Sequence, residues 1–462
     1  MSKDINSVIE REAAKIHRKF LELIDLARSG GGLQVWPEAV GLLVLPSLFN
    51  EEDLSKWRQA VESRKGRQSA LPGLASEFSS LVEKEHNDLC GVFTRALLGG
   101  LNRLSSELMD DWIHQVFMKL WLQPADRMAV DRWFDFRLSD FLEKLDGTDH
   151  FTNRALASLI VRMADIGGHM SVLDPCCGNG SLLLTAFSES PAGSQIHIFG
   201  QETSPASWAI SKLRFFMKQS LSGNIKLGDF LRRPAFDLGG GGPCFFNRVI
   251  CHLPIGATVP EIPKLLSRNS PGKLAKRDSS RTSIDSAFTR QILSHLAPSG
   301  RAVVLLTQGF LFRSSDLPLR RHLVLSKRIK AVFSIPPKYF RTTAVEMAIV
   351  VLEANAEEIL VADFSNLRQS IRGLLPQDVE KIYTASSSGD DTSAGTVRKV
   401  PISEIKAANF ILLPKHYITV HTDENKSSGL LKELGQLDTD ANRSAKQFDL
   451  LFRELQQRTL ME

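Results

Sequence analysis

The chain has 462 residues and a formal net charge of +5, with 43% hydrophobic and 24% charged residues. This length is too great for one compact core and predicts two or three domains, while the residue balance is ordinary for a soluble globular protein. The mild positive charge permits a nucleic-acid partner but does not argue for one.

Hydrophobic and cysteine patterns argue against secretion and membrane insertion. No apolar run reaches about 18 residues, and AVGLLVLPSLF (39–49) is broken by Pro46, which favours a buried helix. MSKDINSVIERE at the N-terminus lacks the apolar core of a signal peptide. The five cysteines show neither CxxC nor Cys/His zinc spacing, so we expect a reduced, cytoplasmic setting without a structural metal.

The first 145 residues show helical periodicity. Apolar residues recur three and four positions apart in HRKFLELIDLA, DLSKWRQAVESR, FSSLVEKEH and DDWIHQVFMKLWL. This pattern predicts an N-terminal helical domain over residues 1–145. An aromatic cluster in it favours a domain core over a platform for bases; its members are Trp112, Trp121, Trp133, Phe134 and Phe136.

From residue 151 onward, short β-branched or apolar runs alternate with helix-like stretches. The strand candidates are SVLD (171–174), IHIFGQE (196–202), IKLGD (225–229), NRVICHL (247–253), RAVVLLTQ (301–308), IKAVFSIP (329–336) and EMAIVVLEA (346–354). This alternation predicts an α/β fold with an open, mostly parallel sheet and helices on both faces. The Ser/Gly/Asp-rich stretch at 384–396 predicts a flexible linker, and the tail beyond residue 426 has the periodicity of one or two amphipathic helices.

A glycine-rich turn follows the first strand in SVLDPCCGNGSLLLTAF. The strand ends at Asp174 and Pro175, the turn carries Gly178 and Gly180, and a helix starts at Ser181. Glycines at the carboxyl end of a strand let the backbone approach a ligand, because no Cβ intrudes. The D-P-x-x-G-x-G spacing differs from the pyrophosphate pattern G-x-G-x-x-G, and an acid beside a helix N-terminus suits a cationic ligand. The turn therefore favours S-adenosylmethionine over a dinucleotide.

Two further acids stand at the ends of the next two strands. Glu202 ends FGQE, where its carboxylate can accept both ribose hydroxyls, and Asp229 follows in LGDF, where it can accept the adenine amino group. Each acid alone is better explained as a turn cap or a solvated acid. Three acids at successive strand ends, with Asp174 as the first, favour a cofactor site.

Six segments of the chain carry a resemblance to a known enzyme family. They are HFTNRALASLIVRM (150–163), SVLDPCCGNGSLL, FGQETSPASWAISKL, SAFTRQILSHLAPSGRAVVLL, SIPPKYFRTTAVEMAIVVLE (334–353) and VPISEIKAANFILLPKHYI (400–418). In this order they resemble the adenine-N6 DNA methyltransferases, specifically the modification subunit of type I restriction–modification systems. The resemblance implies a Rossmann-like S-adenosylmethionine-dependent methyltransferase fold with a mixed, mostly parallel sheet, an N-terminal all-α domain and C-terminal helices.

The resemblance also implies domain boundaries and a set of cofactor-binding residues. The methyltransferase domain is expected over 146–425 and a helical docking tail over 426–462. Phe151 and Thr152 lie in the segment that resembles the family's cover over the methionine end of the cofactor, and cofactor contact by Phe151 is favoured over simple packing. The implied cofactor-binding residues are Phe151, Thr152, Asp174, Pro175, Cys176, Gly178, Gly180, Glu202 and Asp229.

The catalytic motif departs from the family's pattern. His252-Leu253-Pro254-Ile255 stands where the family has [ND]-P-P-[FY], which holds the amine of a flipped adenine between two acceptors and stacks an aromatic ring on the base. His252 has a different shape, Leu253 lacks the fixed φ of proline, and Ile255 lacks a π face. A buried or capping histidine at a strand end is therefore favoured over a working variant of the motif.

The implied partners are DNA and a specificity-type subunit. The tail around KQFDLLFRELQQ and the N-terminal helices are the expected docking elements, and a tail folded back on its own domain is the alternative. PGKLAKRDSSR (271–281) could follow a phosphate backbone or form a solvated loop. The basic residues Arg320, Arg321, Lys327, Arg328 and Lys330 favour a solvated helix face.

Three functions remain open from the sequence. The first is a DNA adenine-N6 methyltransferase subunit that tolerates HLPI. The second is a methyltransferase-fold module that binds cofactor, DNA or a partner without methyl transfer, as a regulatory or defence-system component. The third and weakest is methyl transfer to a substrate other than DNA.

Overall fold

The architecture of the protein was obtained as a computed structural model. The residues that the structure describes are 2–29, 36–63, 70–101, 127–138, 141, 152, 154–190, 195–218, 224–238, 242–255, 283–335, 345–365, 376–388 and 396–418. Within them, no helix is both long enough and apolar enough to cross a membrane.

The N-terminal region is helical, as the periodicity predicts. Its α-helices are α1 (Ser2–Ser29), α2 (Trp36–Val44), α3 (Glu51–Ser63), α4 (Ala70–Glu85) and α5 (Arg127–Arg132). Two π-helical turns, Val92–Leu97 and Trp133–Leu138, accompany them. The Glu83 carboxylate accepts the backbone N–H groups of Gly91 and Phe93 at 2.9 and 2.7 Å, so an acid from α4 satisfies the donors at the start of the first turn.

The remainder alternates strands and helices. The helices are α6 (Arg154–Ala164), α7 (Ser181–Glu189), α8 (Pro205–Met217), α9 (Ile284–His295), α10 (Leu317–Leu325), α11 (Pro376–Ser388) and α12 (Ile402–Ala407). The strands are β1 (Ser171–Asp174), β2 (His197–Glu202), β3 (Asn224–Leu227), β4 (Asp237–Leu238), β5 (Gly242–Pro243), β6 (Phe246–His252), β7 (Leu296–Thr307), β8 (Ile329–Ser334), β9 (Met347–Glu353), β10 (Glu358–Asp363) and β11 (Thr396–Pro401).

One mixed sheet organises this part of the chain. Its strand order is β11-β10-β8-β9-β7-β6-β1-β2-β3, and β4 pairs with β5 in a separate small ladder. The β3-β2-β1-β6-β7 half is parallel throughout, whereas β9 runs antiparallel between β7 and β8. This is the Rossmann-like fold of S-adenosylmethionine-dependent methyltransferases, and it places the carboxyl ends of five strands at one edge.

The two faces of the sheet build two hydrophobic cores, because side chains alternate along each strand. Ile250 and Leu305 point into a core shared with the N-terminal helices, where Phe20 and Trp133 are buried. Val249 and Val304 point into a second core on the opposite face, which is completed by α9, α10 and α12. The helical region and one face of the sheet thus share a single continuous core.

The seven strands predicted from the sequence are all present. The structure differs from the prediction in other parts of the chain. The short strands β4 and β5 and the strands β10 and β11 were not predicted from the sequence; β10 pairs with β8, and β11 forms the sheet edge beyond it. Residues 384–388 of the expected linker lie within α11, since Val379 and Ile382 on that helix are buried in the core. Trp133 and Phe134 are buried as predicted, Phe136 is exposed, and Trp112 and Trp121 lie outside the described residues.

Candidate cofactor and substrate site

The predicted site residues gather at the carboxyl edge of the parallel strands. Asp174 ends β1, Glu202 ends β2, and His252 ends β6, while Asp229 lies two residues beyond β3. Since β6, β1, β2 and β3 are neighbours in this order and parallel, the structure brings these four positions to one edge of the sheet.

Residues 174–180, here called the glycine loop, connect β1 to α7. Gly178 and Gly180 adopt left-handed conformations with φ of +53° and +81°. A Cβ at Gly178 would meet no atom within 4 Å, whereas one at Gly180 would lie 2.6 Å from the Oγ of Ser211 on α8. Gly180 therefore permits close packing against α8, and Gly178 faces open space beside the strand ends.

Glu202 ties the glycine loop to the next strand. One of its carboxylate oxygens accepts the N–H of Gly178 at 2.9 Å, and the other accepts the N–H of Ser204 at 2.7 Å. The oxygen bonded to Ser204 also accepts from the Thr203 hydroxyl at 3.3 Å, whereas the oxygen bonded to Gly178 retains a further lone pair that can accept a hydroxyl donor of a ligand. The expected role of Glu202 at a ribose is compatible with this geometry.

Asp174 is a buried acid with few partners. Only 1% of its surface is exposed, and its carboxylate accepts the N–H of Cys176 at 3.1 Å. Burial raises the pKa of Asp174 well above its usual value, and the negative charge of Glu202 adds to this shift. A cationic group placed beside Asp174 would relieve this unfavourable burial of charge.

Asp229 is half-exposed and caps its own turn. Its carboxylate accepts the N–H groups of Leu231 and Arg232 at 2.9 and 3.3 Å and pairs with the Arg232 guanidinium at 3.4 Å. All three acids thus cap a turn, as considered from the sequence. Asp229 can still bind a ligand, because 40% of its side chain is exposed.

Thr152 contacts the catalytic-motif position directly. Its Oγ1 lies 3.0 Å from Nδ1 of His252, across a sequence separation of 100 residues. Phe151, its neighbour in the predicted cofactor cover, lies outside the described residues. The segment that precedes α6 therefore reaches the end of β6.

The HLPI residues are largely enclosed. His252 and Leu253 are 7% and 1% exposed, and the Leu253 N–H bonds to the Leu305 carbonyl at 2.9 Å, which continues the β6–β7 ladder. Pro254 is half-buried, and Ile255 packs on the core shared with the helices. The motif position is a buried strand end more than an open platform.

The glycine loop also contacts the backbone of that motif. Cys176 Sγ donates to the His252 carbonyl at 3.2 Å and hydrogen-bonds with Cys251, a contact that, with burial, raises the pKa of the Cys176 thiol well above its usual value. Pro175 beside it is buried. Both thiols are free, and Cys176 links β1 to β6 at the site.

Sequence reasoning missed a buried amide that positions the Asp229 turn. Gln201 is 1% exposed; its side chain donates to the Arg233 carbonyl and accepts the Ala235 N–H, both at 3.0 Å. Its backbone carbonyl accepts the N–H of Cys177 in the glycine loop at 3.0 Å. A polar residue that follows Ile198 and Phe199 within a predicted strand was the available signal.

A second unanticipated network lies at the end of β7, the next strand along the same edge. The buried Asp285 accepts from Thr307 Oγ1 at 2.5 Å and pairs with Arg313 at 2.6 Å. Arg313 lies flat on Gly309, where an added Cβ would come within 2.5 Å of the guanidinium. These contacts hold the start of α9 against β7.

The residues present fit S-adenosylmethionine chemically. An enclosed acid suits the cationic end of the molecule, a carboxylate with remaining acceptor capacity suits a diol, and the space at Gly178 admits the close approach of a ligand.

A family comparison agrees with this architecture. The N-6 DNA methylase model matches residues 127–426, which is more than half of the chain. The chain belongs to the N-6 DNA methylase family. The resemblance seen in the sequence is thereby confirmed, and the matched region of the family spans the glycine loop, all three acids and the HLPI position.

The individual relatives have low sequence identity to the chain. The chain is 23% identical to the methylase subunit of the type I restriction enzyme MjaVII from Methanocaldococcus jannaschii and 24% identical to that of MjaVIII. These matches cover 91% and 92% of the chain and 75% and 72% of the length of the two relatives. The type I methyltransferase subunit from Streptococcus thermophilus superposes with a TM-score of 0.64 at 16% identity, covering 87% of this chain and 99% of that one. This structural likeness supports the fold.

Proposed function

We propose that the chain is the S-adenosylmethionine-binding modification subunit of a type I-like DNA methylation complex and acts on the N6 amine of adenine. The observation that carries this proposal is the convergence of Asp174, Glu202 and Asp229 on one sheet edge around the glycine loop. DNA is its proposed substrate and a separate specificity subunit its proposed partner, as the resemblance to type I modification subunits implies. The resemblance to type I modification subunits implies a cytoplasmic location for this role.

Each acid has a separate task in this proposal. Asp174 faces the cationic end of S-adenosylmethionine, Glu202 accepts from the ribose hydroxyls, and Asp229 accepts from the adenine amine. Thr152 and Phe151 cover the methionine end. Bound S-adenosylmethionine supplies an electrophilic methyl group on its sulfonium. The protein contributes by excluding water and by aligning the ligand with the end of β6.

The task of His252 is to accept one hydrogen of the target amine. Its Nδ1 already lies 3.0 Å from Thr152 Oγ1. The Nε2 atom can act as an acceptor only in the neutral tautomer that carries its proton on Nδ1. In that tautomer Thr152 Oγ1 accepts from Nδ1–H, and because a hydroxyl can also donate, the contact is compatible with the competent tautomer without selecting it.

A second function is favoured by the burial of the motif. His252 and Leu253 are 7% and 1% exposed, and position 255 offers isoleucine instead of a stacking ring. A module that binds S-adenosylmethionine and a partner without transferring a methyl group fits these features. Loss of two transition-state contacts of about 3 kcal/mol each corresponds to a rate lower by a factor of a thousand or more.

One experiment separates the two functions. The chain is expressed with and without a neighbouring specificity subunit in a host that lacks adenine methylation, and N6-methyladenine is measured by mass spectrometry. Methylation above the host background supports the first function. Its absence, together with S-adenosylmethionine binding in calorimetry, supports the second, and absence of binding contradicts both.

The motif itself is tested by restoration. The triple variant His252→Asn, Leu253→Pro, Ile255→Phe supplies a side-chain acceptor, a proline that fixes the aim of the backbone acceptor, and a stacking ring. If the motif alone limits transfer, the variant raises methylation by about a thousandfold or more, since it restores two contacts of about 3 kcal/mol each. The matched control is Ile255→Phe alone, which adds the ring without the acceptors.

A further inference from the structure

A chain of contacts links the N-terminal helical region to the glycine loop. Arg214 in the last turn of α8 is 5% exposed and donates from Nη1 to the Asn179 carbonyl at 2.9 Å and to Ser181 Oγ at 3.1 Å. From Nη2 it donates to the Asp135 carboxylate at 3.1 Å. Asp135 belongs to the π-helical turn that follows α5, outside the sheet and its connections.

The contact with Asn179 fixes one peptide unit of the loop at both ends. The Asn179 carbonyl bonds to Arg214, and the N–H of the same peptide, which belongs to Gly180, bonds to the Cys177 carbonyl at 2.8 Å. On its other side, Gly178 is held by Glu202. The orientation of the loop residue that faces the open space is therefore set by Arg214 from one direction and by Glu202 from the other.

Asp135 in turn orients the guanidinium. Burial raises the pKa of Asp135, but Arg214 and Lys218 outweigh it and leave this pKa below its usual value, so the carboxylate is ionised at neutral pH. A buried guanidinium without its carboxylate is strongly disfavoured and would seek other partners or water. Removing the charge of Asp135 thus loosens Arg214, and through it the peptide between Asn179 and Gly180.

We propose that Asp135 is a positioning residue that acts through Arg214, so that the turn Trp133–Leu138 sets the affinity of the glycine loop for S-adenosylmethionine. This inference rests on the proposed binding of that cofactor. Because linkage is reciprocal, the bound cofactor also stabilises the turn. The Ser181 hydroxyl joins the same network by donating to Asn179 Oδ1 at 2.7 Å.

The matched pair Asp135→Asn and Asp131→Asn tests the inference. Both carboxylates accept from Lys218 Nζ at 3.0 Å and both side chains are 27% exposed. Asp135 differs from Asp131 in its additional ion pair with Arg214 at 3.1 Å. In calorimetric titration with S-adenosylmethionine, we expect Asp135→Asn to weaken binding about tenfold, which is ~1.4 kcal/mol. Asp131→Asn should stay within about twofold of the unmodified protein, as expected of a contact that does not reach the loop.

Two further measurements separate positioning from general destabilisation. In the absence of ligand, hydrogen exchange of the Gly180 amide should be faster in Asp135→Asn than in Asp131→Asn. In an Arg214→Gln background, Asp135→Asn should have no additional effect on binding, because the pathway is already interrupted. Ser181→Ala provides a milder perturbation of the loop if Arg214→Gln does not fold.

The outcomes are distinct. Equal affinities of the two Asn variants, with the unmodified protein binding S-adenosylmethionine, would overturn this inference and leave the proposed function intact. Failure of the unmodified protein to bind would overturn the proposed function and the inference together. Additive effects of Asp135→Asn and Arg214→Gln would also contradict transmission through Arg214.

Discussion

At the scale of single residues, the most informative side chains are buried and charged. Asp174 is held at the end of β1 with one backbone donor, whereas Arg320 on α10 donates to the carbonyls of Phe310, Arg313 and Phe410 at 2.6 to 3.0 Å. Burial lowers the pKa of Arg320 to about 10, so it remains charged at neutral pH. The expectation of a solvated Arg320 was wrong, since a guanidinium can satisfy several carbonyls at once.

Asp174→Asn is expected to stabilise the ligand-free protein while weakening cofactor binding. The folded-state pKa of Asp174 is raised above its usual 3.8, so the folded protein binds more protons than the unfolded chain. The free energy of unfolding of the wild type therefore falls as pH rises from about 4 through the raised pKa of Asp174. Above that pKa the folded protein carries the full cost of the buried charge. At pH 7 the variant should be the more stable of the two in the absence of cofactor, because it avoids the buried charge that the wild type then carries.

The measurement is thermal unfolding of both proteins between pH 4 and 8, with and without S-adenosylmethionine. The stability difference should vanish near pH 4 and grow with pH. Cofactor should raise the melting temperature of the wild type more than that of the variant. A variant that is less stable than the wild type at pH 7 would show that the carboxylate is not an unfavourable buried charge.

At the scale of elements, the turn between β1 and α7 decides what the site can hold. Its two left-handed glycines have different neighbours: Gly180 lies against Ser211 and Phe215 of α8, and Gly178 faces open space. The conformation of the turn is thus fixed by packing on one side only. The open side is available to a ligand.

The substitutions Gly180→Ala and Gly178→Ala should therefore have opposite signatures. Each places a Cβ in a left-handed conformation, at about 1–2 kcal/mol. Gly180→Ala also forces a 2.6 Å contact with Ser211, so it should lose more than about 2 kcal/mol of stability in urea unfolding. Gly178→Ala should lose only the stability that the left-handed conformation costs. It should nevertheless weaken S-adenosylmethionine binding at least tenfold in calorimetry. Unchanged binding by Gly178→Ala would place the ligand elsewhere.

At the scale of the whole molecule, the helical region and the sheet are joined by one core. Buried residues of α1, α2 and α4 belong to the same cluster as Ile250, Val303 and Leu305 of the sheet. The ion pairs of Asp135 and Lys218 cross the same boundary at 3.0 Å. We expect these parts to unfold together, because separating them exposes apolar surface on both.

A single tryptophan substitution makes this testable. Trp208 lies on α8, in the part of the chain that contains the sheet, whereas the five other tryptophans lie between residues 36 and 133. In Trp208→Phe, intrinsic fluorescence therefore reports on the N-terminal region, while far-UV circular dichroism reports on the whole chain. The two melting curves should coincide within about 2 °C, as for a two-state transition. Two separated transitions would contradict a shared core.

The sequence by itself determined the α/β class, the seven strands on which the site is built, and the glycine loop with its acids. These features depend on short-range patterns: alternation along a strand, glycine in a turn, an acid at a strand end. β10 and β11 have six residues each and were still missed, because their place in the sheet depends on pairing with β8 and with each other across long stretches of chain.

Only the tertiary structure decided which partners these residues have. The bond between Thr152 and His252 joins residues 100 apart, and the Asp135–Arg214–Asn179 chain joins three separate segments. Such contacts arise from the packing of distant segments against a common sheet, which leaves no local pattern in the sequence. The enclosure of the HLPI position follows from the same packing.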